Sequence, residues 1–423
     1  MLLGTGDGGR YNSAIAIRAR GGIGKHMVAM EDIRRAAGRI AAFVHKTPLI
    51  YSSSFSRMTG AEVYLKAENL QKTGSFKVRG ACNRIMDVRG GSVIAASMGN
   101  HAQGVAFAAG RLGKAAKIVM PVTAPIVKQE ATEGYGAEVL LFGESFNEAL
   151  SFARSQAGYE FIHAFDDDAV IAGQGTVGTE IAEDMSTPDC VLVPVGGGGL
   201  ISGIAVAMKG LSPATQIIGV QATAAPSAAL SFQDRHVQEC TPRPTIADGI
   251  AVGRVGEKTF EIISRFVDDM LTVEEDGIAE AVLYFLERKK LVVEGAGSVA
   301  LAALFAERQR FSGKKVVLVV SGGNIDFTLV DRIIHKGLLS GGRIGVFEAV
   351  VDDLPGVLHT LSGIIAARRG NILNVVHERL APGLPVVKTK VIFTVETRGR
   401  GHLEEILSDC RQKGFEVRRR SGD

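Results

Sequence analysis

From Ile33 to about Gly337 the chain alternates short apolar runs with longer amphipathic segments. The short runs predict strands at Val63–Lys66, Ser92–Ala96, Lys117–Pro121, Glu138–Phe142, Cys190–Val195, Ile217–Gln221, Met270–Val273 and Val316–Val320. Helices are predicted between them, at Asn147–Ala157, Thr176–Met185, Leu200–Lys209, Gly277–Arg288 and Ser298–Gln309. Strand–helix alternation of this length predicts an α/β fold with mainly parallel sheets. The stretch is large for one core, so two lobes with a cleft between them are expected.

After Ser340-Gly341-Gly342 the pattern changes. Arg343–Asp352 is a predicted strand. Pro355–Arg369 is a predicted helix, with proline at its start and Gly370 just past its end. Ile372–Glu378 and Val386–Glu396 are strands joined through Ala381-Pro382-Gly383. Leu403–Lys413 is a helix ended by Gly414, and Phe415–Arg418 a last strand. The order βαββαβ is that of a ferredoxin-like unit. At the other end, residues 1–29 are Gly- and Arg-rich and lack the apolar core of a signal peptide, so a disordered extension is expected. Met27 and Met30 are possible later starts. Gly24-Lys25-His26 is not a phosphate loop, because histidine replaces the serine or threonine and no strand precedes it.

Charge changes the picture little. There are 48 Lys and Arg against 45 Asp and Glu, a net charge of +3. No block of like charge goes beyond the length of the short Arg418-Arg419-Arg420 run, so neither nucleic acid nor an anionic membrane is expected as a partner. No stretch reaches the roughly 20 apolar residues of a membrane span. The nearest, Leu291 to Ala306, is interrupted by Glu294. Cys82, Cys190, Cys240 and Cys410 are far apart and form no C-x-x-C, so a disulfide framework and structural zinc are not expected. A reduced, cytoplasmic setting fits. Glycine changes more: 52 of 423 residues, against roughly 7% on average. Such an excess signals tight turns and close backbone approach to something.

Five glycine-bearing segments carry candidate chemistry, each placed at the carboxyl end of a predicted strand, where α/β proteins bind ligands. In Ser75-Phe76-Lys77-Val78-Arg79-Gly80-Ala81, a loop turns on Gly74, Ser75 can cap a helix, and Lys77 lies in its first turn. An amine there, beside Lys72 and Arg79, ionises less readily, which suits an imine-forming nucleophile. In Ser97-Met98-Gly99-Asn100-His101-Ala102-Gln103-Gly104, backbone donors and a hydroxyl could receive a carboxylate. Gly196, Gly197, Gly198 and Gly199 follow an apolar strand and precede a helix, so main-chain N–H groups can wrap a phosphate. Gly173-Gln174-Gly175-Thr176-Val177-Gly178 fits G-x-G-x-x-G, but no acidic residue follows at the required distance, so dinucleotide binding is rejected. Ser321-Gly322-Gly323-Asn324 puts a hydroxyl at a strand end. Each segment alone also reads as a surface lysine, a cap, a flexible loop or a turn. One lysine, one phosphate cradle and one hydroxyl together suit pyridoxal 5'-phosphate held as an imine.

These motifs, in this order, resemble the threonine/serine dehydratases of the tryptophan-synthase-β fold (PLP fold type II) over roughly residues 30–337, as does Lys46-Thr47-Pro48-Leu49. The resemblance implies that Lys77 holds the cofactor and acts as the base at Cα, with Phe76 beside it. Asn100 would bind the phenolic oxygen, and Gly196, Gly197, Gly198, Gly199 and Leu200 the phosphate. Ser321 would contact the pyridine nitrogen. A hydroxyl there makes the ring a weaker electron sink, which suits β-elimination. Ser97, Met98, Gly99, Asn100 and His101 would bind the carboxylate of a small hydroxy amino acid. The implied reaction takes L-threonine to 2-oxobutanoate and ammonia, and L-serine to pyruvate. A serine racemase, a hydroxyaspartate ammonia-lyase or a non-catalytic amino-acid sensor are the alternatives. Met98 stands where racemases carry serine and most dehydratases alanine, and methionine transfers no proton. Some relatives bind a cation through an acidic residue where this chain has Gln221, so no metal is expected.

The unit over residues 343–423 resembles an ACT domain through Asp353-Leu354-Pro355-Gly356-Val357-Leu358 and Gly370-Asn371-Ile372. This implies control by an amino-acid effector, isoleucine or valine, at Asp353, Leu354, Pro355 and Gly356. A dimerisation module without ligand is the other reading. A homo-oligomer, dimer or tetramer, is expected.

Overall fold

The computed structural model describes residues 27–380 and 382–420. The chain lays down β1 (Leu49–Tyr51) and β2 (Glu62–Ala67), then leaves them to build a second sheet from β3 (Ser92–Ala96), β4 (Ala115–Met120), β5 (Glu138–Leu141) and β6 (Glu160–Phe161). It returns with β7 (Cys190–Pro194), β8 (Gln216–Ala222), β9 (Asp269–Val273) and β10 (Lys315–Val320). The large sheet has the order β1-β2-β10-β7-β8-β9, and the small one β5-β4-β3-β6. All pairings are parallel except β1 with β2. The predicted two-lobed α/β fold is therefore present.

Alternation explains why the large sheet is buried on both faces. Leu65, Leu192, Ile218 and Leu318 point into one apolar layer, and Val191, Val193, Val317 and Val319 into the other. The predicted strands are all present to within two residues at each end. The short β1 and β6 escaped prediction because three and two residues carry no readable period.

Several boundaries differ. The helix predicted from Thr176 starts at Asp168, because the Asp167 side chain caps it through Val170 N–H at 3.0 Å. The glycine motif from Gly173 to Gly178 is thus inside a helix, not at a strand end. Its glycines allow helix contact: a Cβ on Gly173 would stand 2.7 Å from the Arg79 carbonyl oxygen. Ser75 does not cap the Lys77–Ile85 helix. The cap position is Phe76, and the Ser75 hydroxyl is buried without a partner among the described residues. The extension predicted over 1–29 ends earlier, since Val28 is buried and a helix begins at Met30. Residues 1–26, with Gly24-Lys25-His26, lie outside the described residues, as do Ala381 and 421–423.

The final helix before the texture change, Phe327–Ser340, runs past residue 337. Beyond it, β11 (Ile344–Asp352), β12 (Asn371–Glu378), β13 (Lys388–Glu396) and β14 (Glu416–Arg419) form an antiparallel sheet of order β12-β13-β11-β14. Helices Val357–Ala367 and Arg400–Gln412 complete the predicted βαββαβ unit. Pro355 lies outside its helix, which starts after Gly356 at φ +91°. The left-handed position at its far end is Arg369 (φ +60°), not Gly370.

Candidate active site

The ends of β2, β3, β7 and β10 bring four of the five segments together. Gly323 N–H donates to Gly74 O at 2.9 Å, and Phe76 N–H to Ser321 O at 3.1 Å, so the loops after β2 and β10 are stitched to each other. Asn324 Nδ2 then donates to Thr73 O (2.9 Å), to Asn100 Oδ1 (2.7 Å) and to Gln103 Oε1 (3.2 Å), tying in the segment after β3. The Asn100–Arg111 helix packs so closely on Lys77 that a Cβ on Gly104 would stand 3.1 Å from the Lys77 carbonyl carbon.

Lys77 is the first residue of its helix, and its Nζ donates to Ala164 O at 3.1 Å. The amine also lies over the Phe76 ring, 5.2 Å from its centroid. Burial pushes the amine down to about 8, with Glu294 opposing. The cause expected from the sequence, the charges of Lys72 and Arg79, is not the operative one. Lys72 is exposed. Arg79 is fully buried, and its charge is met by two carboxylates. Its Nε and Nη2 donate to Glu68 at 2.8 Å each, and Nη1 and Nη2 to Glu180 at 2.6 and 2.9 Å. Burial alone would raise the Glu68 carboxyl, but Arg79 holds it below its ordinary value. Lys66 completes this knot, donating to Glu180 Oε2 and Thr47 O at 2.6 Å each. Arg79 is therefore an anchor for the helix that carries Lys77, not a field acting on it.

The four glycines follow β7. Gly198 has φ +95° and precedes the Gly199–Leu211 helix. The first bond of that helix is Ser202 N–H to Gly198 O at 3.0 Å. The N–H groups of Gly199, Leu200 and Ile201 lie ahead of its hydrogen-bond ladder, as an anion site requires. Phe165 is wedged against this loop: a Cβ on Gly197 would collide with its ring, and one on Gly199 would stand 3.0 Å from its Cα. Thr259 Oγ1 donates to Gly197 O at 2.7 Å. Phe165 adjoins Ala164, so the lysine and the glycine loop are placed by one short segment. His163 braces that segment, accepting the N–H groups of Phe165 and Asp166 on Nδ1.

In the β3 segment, Ser97 Oγ accepts the Gly99 N–H at 3.2 Å. Met98 is half-buried against the small lobe's core. His101 bonds Ile162 O at 3.0 Å, and burial pushes its ring down to about 3, so its side chain is neutral and structural. Asn100 Nδ2 donates to Glu294, at 2.8 Å to Oε1 and 3.0 Å to Oε2.

Residues 40–322 match the family described as pyridoxal-phosphate dependent enzyme. The chain belongs to that family. It is 47% identical over 399 residues to an L-threonine ammonia-lyase of Thermotoga maritima, covering 93% of this chain and 99% of the relative. A Geobacter sulfurreducens L-threonine ammonia-lyase is 44% identical over 392 residues, 91% of this chain and 98% of its own. Among solved structures, a T.th. threonine deaminase superposes with a TM-score of 0.68 at 43% identity, covering 71% of this chain and 99% of its own. Maize serine racemase gives 0.70 at 33% identity, with coverages of 74% and 98%.

The residues fit the family's cofactor. The glycine loop has to stay bare backbone, since a Cβ on Gly197, Gly198 or Gly199 would press on Phe165 or Thr259, and the buried hydroxyls of Ser75 and Thr73, flanking Gly74, have no partner among the described residues. Such orphaned groups are costly unless a ligand meets them. Gln221 is buried and used: it donates to Val195 O at 3.1 Å and accepts Ala229 N–H at 2.9 Å. In the C-terminal unit the Asp353 carboxylate is engaged by Arg379 at 2.8 and 3.3 Å, and Leu354 is exposed. No helix among the described residues is long and apolar enough to cross a membrane.

Sequence reasoning gave no role to Glu294, Asn324, Glu68, Glu180 or the His163–Phe165 segment. Glu294 had a usable signal: a single carboxylate in an otherwise apolar run is either paired or functional once the run is buried.

Proposed function

We propose that this chain is a threonine ammonia-lyase that converts L-threonine to 2-oxobutanoate and ammonia, and L-serine to pyruvate. The observation that carries the reading is the Lys77 amine, lowered to about 8 and bonded to Ala164 O, beside the Phe165 that packs on the glycine loop. When bound, pyridoxal phosphate supplies an electron-accepting ring that stabilises the charge left when the Cα–H bond breaks, so that the β-hydroxyl can depart. Lys77 would hold the cofactor, and its amine, when free, would take up the Cα proton. Gly196, Gly197, Gly198, Gly199 and Leu200 receive the phosphate on main-chain N–H groups. Asn100 would donate to the ring's phenolic oxygen, and the Ser321 hydroxyl would serve the ring nitrogen. Main-chain groups of Ser97, Met98, Gly99, Asn100 and His101 bind the substrate carboxylate. The names of the two long relatives support the substrate.

The C-terminal βαββαβ unit is proposed to be an ACT domain that takes isoleucine or valine at the loop Asp353–Gly356, in a homo-oligomer. The 93% coverage by the Thermotoga relative supports its being part of the same enzyme type. The test is a 2-oxo-acid release assay on threonine and serine, with and without isoleucine and valine. Threonine turnover is expected; a protein that takes up pyridoxal phosphate but releases no 2-oxobutanoate refutes the reading. Similarity to a serine racemase keeps one rival in view, and D-serine formation matching pyruvate release would favour it.

A further inference from the structure

Glu294 has no part in the reaction described so far, yet its side chain stands among the residues assigned to it. It is 5% exposed and immediately precedes the Gly295–Ala306 helix. Its N–H donates to Gly322 O at 3.1 Å. Its carboxylate lies against Gly322, where a Cβ would collide with Oε1. The residue before that glycine is Ser321. Asn100 Nδ2 reaches both carboxylate oxygens, while Asn100 Oδ1 accepts from Asn324 Nδ2 at 2.7 Å. A carboxamide has one donating and one accepting edge. Turned over, its oxygen would face the carboxylate and its amino group would face another amino group. The two partners together therefore fix one orientation.

We propose that Glu294 is a positioning residue of the active site: it selects the donating edge of Asn100 for the pyridoxal ring, and its charge is felt at the ring through that amide. The inference rests on the assignment of Asn100 to the cofactor. The charged groups around Glu294 are Lys77, Asp248 and Lys128, the last two paired with each other at 2.9 Å. Burial pushes the Glu294 carboxyl up to about 7; the Asn100 hydrogen bond opposes this, Asp248 adds to it, and Lys128 and Lys77 oppose it. Its charge thus changes in the neutral range, unlike that of an ordinary surface glutamate.

Two readouts separate this role from mere packing. In the apoenzyme, a raised carboxyl contributes stability fully below 4.5 and loses it as pH rises through about 7. The Tm advantage of Glu294→Gln over wild type should therefore grow between about pH 5 and 8. In the holoenzyme, the cofactor's visible absorbance should show a step near pH 7 that Glu294→Gln lacks. The same variant should lower kcat about tenfold and leave KM for threonine within about threefold. Should Glu294→Gln not fold, Asn100→Ala serves: losing that hydrogen bond should move the apoenzyme transition to higher pH. A pH-independent Tm difference, a wild-type absorbance profile in Glu294→Gln, or an unmoved transition in Asn100→Ala overturns the proposal. A wild type that shows the absorbance step but forms no 2-oxobutanoate refutes the threonine reading and supports the Glu294 assignment.

Discussion

Two lysines eleven residues apart show how surroundings decide what an amine is for. Lys66 is fully buried in the large lobe and bonded to the Glu180 carboxylate and a backbone carbonyl. The Lys77 amine is hydrogen-bonded to the Ala164 carbonyl, with no carboxylate in hydrogen-bond contact among the described residues, and it is lowered to about 8. A carboxylate partner ties the first in an ion pair. Its absence lets desolvation act on the second and leaves a free base within reach of neutral pH. Arg79 links the two regions: its guanidinium belongs to the Lys66 knot, while its backbone is in the first turn of the Lys77 helix.

The widest separation should come from activity. Lys77→Ala should lower kcat/KM by about a thousandfold or more and abolish the imine absorbance, with the far-UV spectrum unchanged. An active, coloured variant would remove the contrast altogether. Next is Glu68→Ala, which leaves Arg79 short of one partner in a fully buried setting. A loss of about 3–5 kcal/mol in unfolding free energy is expected, measured by denaturant titration.

The third comparison is one of sign. A lysine lowered from 10.5 to about 8 destabilises the apoenzyme fully below 8 and not at all above 10.5. Lys77→Met apoenzyme should therefore melt higher than wild type below pH 8, and the gain should vanish as pH approaches 10.5. A constant gain would mean that packing, not charge, separates the two. The smallest effect is expected for Lys66→Met, because Glu180 keeps Arg79 as partner. It should cost about 1–3 kcal/mol and leave the absorbance of bound cofactor in place.

Much of the frame was legible because buried parallel strands are written as continuous apolar runs, as Cys190–Pro194 and Lys315–Val320 show. The segments that hold Lys77, Asn100, Ser321 and the four glycines were legible as strand-end loops because glycine there marks a tight turn or close backbone approach. The reason for Lys77's lowered amine was not. Arg79 looked like a neighbouring cation because its carboxylate partners lie 11 and 101 residues away in the chain. The motif Gly173–Gly178 looked like a strand-end loop because only tertiary packing reveals that its glycines let two helices touch. Glu294 was passed over as an interruption, since its partner Asn100 lies 194 residues away.

The ring of Phe165 gives the glycine loop a property that its composition hides. Four consecutive glycines have more conformational freedom to lose than any other tetrapeptide. Here the loop is held by an aromatic wedge on one side and by the Thr259 hydroxyl on the carbonyl of Gly197. That disorder is removed when the chain folds, before any phosphate arrives. In the proposed function, capture of the phosphate then carries little further entropic cost, with the loop as a preorganised receptor rather than one that closes around its guest.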